Sequence, residues 1–190
     1  MRVNTECLDI LTDKDFERMI LEAKPTVQEK RISDERIKHM HGVAELMFDR
    51  YPLFQCKYLS RDEVYVLGLN HDIGYVGGKG LHEFRGAGIF AEFCEFGLKH
   101  TMTECIFHHG HTPAEYIERH NCTNEEIPDE LVLLWWADLC VESSGEHAGE
   151  AVGLKKRLDG IEKRYGKDSE SYRVCKEIID WLTDNLPDRV

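Results

Sequence analysis

The sequence predicts an all-α fold of about seven or eight helices. Apolar residues recur three and four positions apart along most of the chain, which is the period of an amphipathic helix. The capping-box pattern Ser/Thr-x-x-Glu, typical of a helix N-terminus, occurs at Ser60, Thr101 and Thr123. No second strand with a hairpin-type turn accompanies these signals. A length of 190 residues suits about one domain, so we expect a single domain over residues 1–190.

The first part of the chain contains two helix signals. Ahead of Ser33, a helical spacing of apolar residues predicts a helix that packs on the core; these residues are Leu8, Leu11, Phe16, Met19 and Ile20. Ser33 is a favourable N-cap residue, and Asp34 and Glu35 suit the first turn of the next helix. The apolar stripe of that helix consists of Ile37, Met40, Ala44, Met47 and Tyr51.

The segment 64–69 is ambiguous by composition alone. Its β-branched residues suit a strand, whereas the capping box at Ser60 and the helical signals on both sides favour a buried helix. The glycine-rich stretch 74–80 matches neither the GxxxxGK[ST] nor the GxGxxG phosphate-binding pattern. We therefore expect a loop there, either a plain turn or a mobile loop at the mouth of a site.

The second half of the chain predicts further helices. The capping-box patterns at Thr101 and Thr123 each precede a predicted helix. The second predicted helix covers 131–141, with Pro128 in its first turn. The chain then ends in a helical hairpin, with a helix over about 150–164 separated by Gly166 from an apolar stripe that begins at Tyr172. The adjacent Trp135 and Trp136 favour a core position over a dimer face, and a homodimer is the alternative.

Composition excludes several classes of partner. The formal net charge is −12, from 24 basic and 36 acidic residues. Nucleic-acid binders need clustered Lys and Arg, so neither a nucleic acid nor an anionic membrane is expected as a partner. We expect no signal peptide or membrane span, since the apolar stretches are too short. Seven cysteines without a CxxC pair indicate reduced thiols in a cytoplasmic protein and disfavour a cysteine zinc site.

Histidine and aspartate residues mark the candidate site. His71-Asp72 ends the most apolar of the predicted helices, and a buried charged pair must find partners because an unpaired buried charge is costly. A metal ion satisfies both groups, since imidazole and carboxylate are good ligands for iron, manganese or zinc. The full set of motifs, in chain order, is Arg36-x-x-His39, Asn70-His71-Asp72-Ile73-Gly74, His82-x-x-x-Gly86-Ala87, His108-His109 and Trp136-Ala137-Asp138.

This order, H…HD…H…HH…D, resembles the HD-domain superfamily of metal-dependent phosphohydrolases. The resemblance spans residues 33–142, and the tail is similar to that of small stand-alone HD proteins, with Gly145-Glu146 followed by Arg157-Leu158 and Arg164-Tyr165-Gly166. It implies a helical bundle with the metal site between helices. On this reading an N-terminal helix and the C-terminal hairpin pack on the HD core.

The resemblance also implies a ligand set. His39, His71, Asp72 and Asp138 match the minimal set of the family, and Asp72 would bridge two ions. His82 and His109, or His108, match the additional ligands of its two-metal members. Both His108 and His109 could bind, or one could meet substrate phosphate; His111 is either a loop residue or a contact to substrate. The remaining histidines match no motif position and are expected to be structural: His41, His100, His120 and His147.

The implied function is hydrolysis of a nucleotide or related phosphate ester by a metal-bound hydroxide, with Asp72 at its centre. The cofactors would be two divalent ions, foremost Fe or Mn, with Zn, Co, Ni or Mg as further choices. Lys79 and Arg85 are the candidates for binding substrate phosphate; otherwise Lys79 is a solvated loop residue and Arg85 a surface ion-pair partner. Many family members carry a lysine in the pattern HD-x-G-Lys, where this chain has Tyr75. The alternatives are a mixed-valent di-iron oxygenase and a catalytically silent nucleotide-binding sensor.

Overall fold

The computed structural model describes residues 32–78, 80–93, 99–147 and 150–186. Over these residues the chain is all-helical, with eight α-helices and an isolated bridge between Val141 and His147 in place of any strand. The helices are α1 (Asp34–Arg50), α2 (Arg61–Asn70), α3 (His82–Phe93), α4 (Lys99–His108), α5 (Pro113–His120), α6 (Asp129–Cys140), α7 (Glu150–Tyr165) and α8 (Glu170–Asn185). This confirms the all-α prediction. The predicted N-terminal helix lies outside the described residues.

Helix α6 is the centre of the bundle. Ten of its twelve residues are buried, including Trp135 and Trp136, because the helix is apolar on all sides. It packs against five neighbours: α1, α2, α4, α7 and α8. The two tryptophans therefore belong to the core, as favoured from the sequence, and a homodimer remains a prediction.

Side-chain caps set the starts of α1, α2, α5 and α8. The Ser33 hydroxyl accepts a hydrogen bond from the Arg36 N–H, and Ser60 forms a full capping box with Glu63, so the segment 64–69 is helical as predicted. A second full box begins α5 at Thr112. The box predicted at Thr101 is wrong, because α4 already begins at Lys99 and Thr101 lies inside the helix.

Acidic residues at the start of α6 hold the preceding loop. The buried Glu130 carboxylate accepts hydrogen bonds from the backbone N–H groups of Tyr58 (2.6 Å) and Leu59 (3.1 Å). Asp129 accepts a hydrogen bond from the N–H of Gln55 at 2.5 Å. These contacts fix the loop between α1 and α2 on the central helix.

Close contacts between α1 and α2 place two of the candidate ligands. A Cβ at Gly68 of α2 would lie 2.6 Å from the Cα of Ala44, so only glycine permits this approach of the two helices. The approach brings His39 of α1 near His71, which directly follows α2. Among the described helices, none combines the length and the apolar composition needed to cross a bilayer.

Candidate metal centre

Asp72 lies between two groups of histidines. The residue is buried and directly precedes the 3-10 turn Ile73–Gly77. Its Oδ2 atom is 3.3 Å from Nε2 of His71 and 3.9 Å from Nε2 of His39. Its Oδ1 atom is 3.3 Å from Nε2 of both His82 and His109. Each of these two groups could hold a metal ion, and Asp72 belongs to both.

Asp138 completes the first group from the opposite side. This residue lies on the central helix α6, and its Oδ1 atom is 2.8 Å from Nε2 of His39 and 3.6 Å from Nε2 of His71. His39 comes from α1 and His71 from the end of α2. Three helices thus bring together the four residues of the minimal ligand set suggested by the sequence motifs.

Hydrogen bonds to backbone carbonyls orient the histidines. The Nδ1 atom of His71 lies 2.7 Å from the carbonyl oxygen of Gly68, and that of His109 lies 2.6 Å from the carbonyl of Ile106. His39 has the same kind of contact, at 3.2 Å, with the carbonyl of Glu142. If Nδ1 is the donor in each ring, the Nε2 lone pairs point toward the two carboxylates. Metal-binding histidines are held in this way by their second nitrogen.

One buried atom gives a direct test of fit to a metal ion. The Nε2 atom of His71 is buried and has no hydrogen-bond partner within the described part of the chain. It lies 3.3 Å from Oδ2 of Asp72 and 3.6 Å from Oδ1 of Asp138, so a cation placed among these three atoms would have all of them as ligands. The donor set of imidazole and carboxylate is also one that Fe, Mn and Zn accept. The residues present therefore fit a divalent metal.

Without a metal, the site is a network of opposite charges. Burial acts to lower the pKa of His71, but Asp72 and Asp138 outweigh it and raise that pKa to about 10. Burial likewise acts to raise the pKa of Asp72, but His71, His109 and His82 outweigh it and hold that pKa well below its usual range. An ion that binds Nε2 of His71 must therefore displace a proton.

Arg36 and Tyr75 form one wall of the site. The Arg36 guanidinium makes an ion pair with Oδ2 of Asp72 and lies over the Tyr75 ring, 4.2 Å from its centroid. The Tyr75 ring is in turn 4.2 Å from that of His82. Burial raises the pKa of Tyr75, so its hydroxyl stays neutral. Arg36 thus brings a positive charge to the site; the motif Arg36-x-x-His39 contained this residue, but its role was not predicted from the sequence. The available signal was its position three residues before His39, on the same face of α1.

An open groove of about 1170 Å³ leads away from the site. Its lining includes Asp72, His82, His109 and Asp138 together with side chains of α7 and α8. Arg157 of α7 also lines the groove, with Nη2 3.9 Å from Oδ1 of Asp138. Its buried Nε has no hydrogen-bond partner among the described residues. No local sequence signal marked this residue as part of a site.

The glycine-rich stretch holds its shape through Arg85. The Arg85 guanidinium donates hydrogen bonds to the carbonyls of Gly74 (2.5 Å), Gly78 (3.0 Å) and Gly80 (2.8 Å). Arg85 is absent from the described lining of the groove. The structure therefore places it as a brace for the loop, and its contact with substrate phosphate stays a prediction. Lys79 lies outside the described residues.

The two adjacent histidines at the C-terminal end of α4, His108 and His109, point in different directions. Successive residues on a helix are rotated by about 100°, so when His109 faces Asp72, His108 faces α5. There its Nε2 lies 3.0 Å from Nε2 of His120 and 3.5 Å from a carboxylate oxygen of Glu104. The structure thus brings His109 to the Asp72 centre and takes His108 out of it. His111 lines the groove, where its Nδ1 contacts the Phe107 carbonyl at 3.1 Å.

Comparison with known proteins adds no relative: no protein-family model, curated protein or solved structure matches this chain.

Proposed function

We propose that this chain is a metal-dependent phosphohydrolase of the HD type that acts on a nucleotide or a related small phosphate ester. Asp72 carries the proposal, because one buried carboxylate presents each of its oxygens to a separate group of imidazoles. A carboxylate shared by two ligand groups suits a two-metal site of the kind that catalyses phosphoryl transfer. When bound, the ions would supply Lewis-acid activation of water and of the phosphoryl group.

The ligands divide naturally between two ions. His39, His71 and Asp138 would hold one ion together with Asp72, and His82 and His109 would hold the second. Iron and manganese are the foremost candidates, because mixed imidazole and carboxylate sets accept them well.

Two arginines of the chain would bind the substrate phosphate. Arg36 and Arg157 both line the groove next to the carboxylates, and the guanidinium fork matches phosphate oxygens in geometry and charge. The neutral Tyr75 hydroxyl can donate one hydrogen bond but supplies no charge. The groove lining is also partly apolar, with Ile161 and Val174 among its residues. These apolar side chains would accommodate the remainder of a substrate such as a nucleobase.

Metal content and phosphate release test the proposal together. We would measure Fe, Mn and Zn per chain by elemental analysis, and then phosphate release from nucleoside mono-, di- and triphosphates. Asp72→Asn is expected to lower the bound metal and abolish hydrolysis while the helix content is retained. His100→Gln, at an exposed histidine of α4, is the matched control and should match wild type. Less than one metal ion per chain, with no hydrolysis after addition of Mn²⁺ or Fe²⁺, would contradict the proposal.

A second candidate is a di-iron oxygenase of the HD type. Tyr75 favours it, because this uncharged residue, whose ring lies against the His82 ring, takes the position where many phosphohydrolases of the family have a lysine. Iron content combined with oxygen uptake on a polyol or a hydroxyphosphonate would identify this activity. Oxygen uptake without phosphate release would replace the first proposal by the second.

A further inference from the structure

A second cluster of metal-ligating side chains lies apart from the Asp72 centre, between α4 and α5. Three atoms converge there: Nε2 of His108, Nε2 of His120 and Oε2 of Glu104. Nε2 of His108 is 3.0 Å from Nε2 of His120 and 3.5 Å from Oε2 of Glu104, and the His120 and Glu104 atoms are 3.7 Å apart. The edge of a tetrahedron with zinc–ligand bonds of about 2.0–2.1 Å is about 3.3 Å. The observed distances bracket that value.

The backbone of two helices fixes this convergence. Glu104 and His108 are one turn apart on α4, so their side chains lie side by side. His120 is the last residue of α5, and its ring stacks on Tyr116 at a centroid distance of 4.3 Å. The ring of His108 packs edge-on against those of both His120 and Tyr116. The three ligands therefore need no rearrangement of either helix to face one ion.

We propose that Glu104, His108 and His120 form a separate site for one divalent transition-metal ion of the zinc class. Two imidazoles and one carboxylate favour Zn²⁺, Co²⁺ or Ni²⁺ over Mg²⁺ or Ca²⁺, which prefer oxygen ligands alone. Three protein ligands leave a coordination position open. The inference is independent of the activity proposed for the Asp72 centre, because none of these three residues belongs to either ligand group around Asp72.

This site is expected to bind its ion more weakly than the Asp72 centre. The Nδ1 atom of His108 is buried without a hydrogen-bond partner in the described residues, whereas His71 and His109 are each anchored through Nδ1 on a carbonyl. Loss of such an anchor lowers metal affinity by about 10–100-fold. The side chains of Glu104 and His120 are also about one third exposed, so an ion can enter and leave without unfolding. The ion is therefore expected to exchange with solution.

Zinc binding to the full-length protein as purified tests the proposal. In equilibrium dialysis against micromolar Zn²⁺, wild type and His100→Gln are expected to bind one more ion per chain than His120→Gln. Glu104→Gln is the second variant and should lose the same single ion. Thermal unfolding without added zinc checks that each variant is folded. Co²⁺ provides an independent readout, since the visible absorption of a tetrahedral site should appear in wild type and be absent from His120→Gln.

Two results would overturn this assignment. Equal zinc stoichiometry in wild type and His120→Gln would show that the three residues form only a polar contact between α4 and α5. Retention of the ion in Glu104→Gln, with its loss in His120→Gln, would show a different ligand set. The difference of one ion between wild type and variant does not depend on how many ions the Asp72 centre holds. Failure of this site and failure of the phosphohydrolase proposal are therefore distinguishable.

Discussion

Substitution of Gly74 by alanine should disturb the second ligand group while leaving the first group in place. Gly74 lies two residues after Asp72 and packs against the first turn of α3, which carries His82. An added Cβ would be 1.8 Å from the carbonyl oxygen of His82 and 2.6 Å from the backbone nitrogen of Gly86. Real Cβ atoms essentially never approach closer than 3.0 Å. The backbones of Gly74 and His82 must therefore move apart by at least about 1.2 Å.

A displacement of this size decides whether His82 can bind. Metal–ligand bonds tolerate deviations of about 0.2 Å, and the shift is several times larger. Overpacking at a backbone contact also costs about 1–3 kcal/mol, which corresponds to about 2–12 °C in melting temperature for a chain of this size. We therefore expect Gly74→Ala to unfold at a lower temperature and to lose the ion proposed to bind His82 and His109. The ion proposed to bind His39 and His71 should remain.

Elemental analysis and thermal unfolding followed by circular dichroism provide the two readouts. Gly88→Ala is the matched control, because it lies on α3 and an added Cβ there has no neighbour within 4 Å among the described residues. This control should keep its metal and gain about 0.5–1 kcal/mol in stability from the better helix former. If Gly74→Ala has the melting temperature and metal content of wild type, the close contact between Gly74 and α3 is wrong.

Three further predictions concern the proton, the substrate and the loop before α6. Because the pKa of His71 is about 10 without metal, metal binding at pH 7 should release a proton, and metal affinity should rise about tenfold per pH unit for each proton released. Calorimetry in buffers of different ionisation enthalpy counts these protons, and a count of zero would contradict the charge network. Arg157→Gln should raise KM with little change in kcat or metal content, and an unchanged KM would remove Arg157 from phosphate binding. Glu130→Ala should lower the free energy of unfolding by about 2–3 kcal/mol, because two backbone N–H groups lose their acceptor. Glu130→Gln keeps an acceptor and should lower this free energy by less. Equal decreases for the two variants in urea unfolding would refute this reason.

Local sequence signals were sufficient where the deciding contact is local. The capping box at Ser60 overrode the strand-like composition of the segment 64–69, because the Ser60 and Glu63 side chains satisfy backbone N–H groups at the helix start. The hairpin of α7 and α8 likewise followed from a break at Gly166, which has a positive φ of 84°. The same kind of box at Thr112 was present in the sequence and overlooked.

The box pattern at Thr101 shows the limit of such signals. The pattern marks a helix start only when the residues before it are not helical, and α4 already begins at Lys99. The pattern predicts that Glu104 caps the helix start. In the structure Glu104 lies inside α4 and contacts His108 one turn further on. The Ser/Thr-x-x-Glu pattern is the same at Ser60 and at Thr101, so only the path of the preceding chain separates the two situations.

By itself, the sequence determined the helical class, the helix starts at Ser33 and Ser60 and the donor chemistry of the candidate metal centre, including the group around Asp72. Tertiary structure alone decided which of two adjacent histidines reaches Asp72, and that Arg36 lies beside it while Arg85 braces a loop. The physical reason is that helical periodicity sets the angle between neighbouring side chains but not the direction in which the pair points. That direction depends on how α4 packs between α3 and the central helix α6.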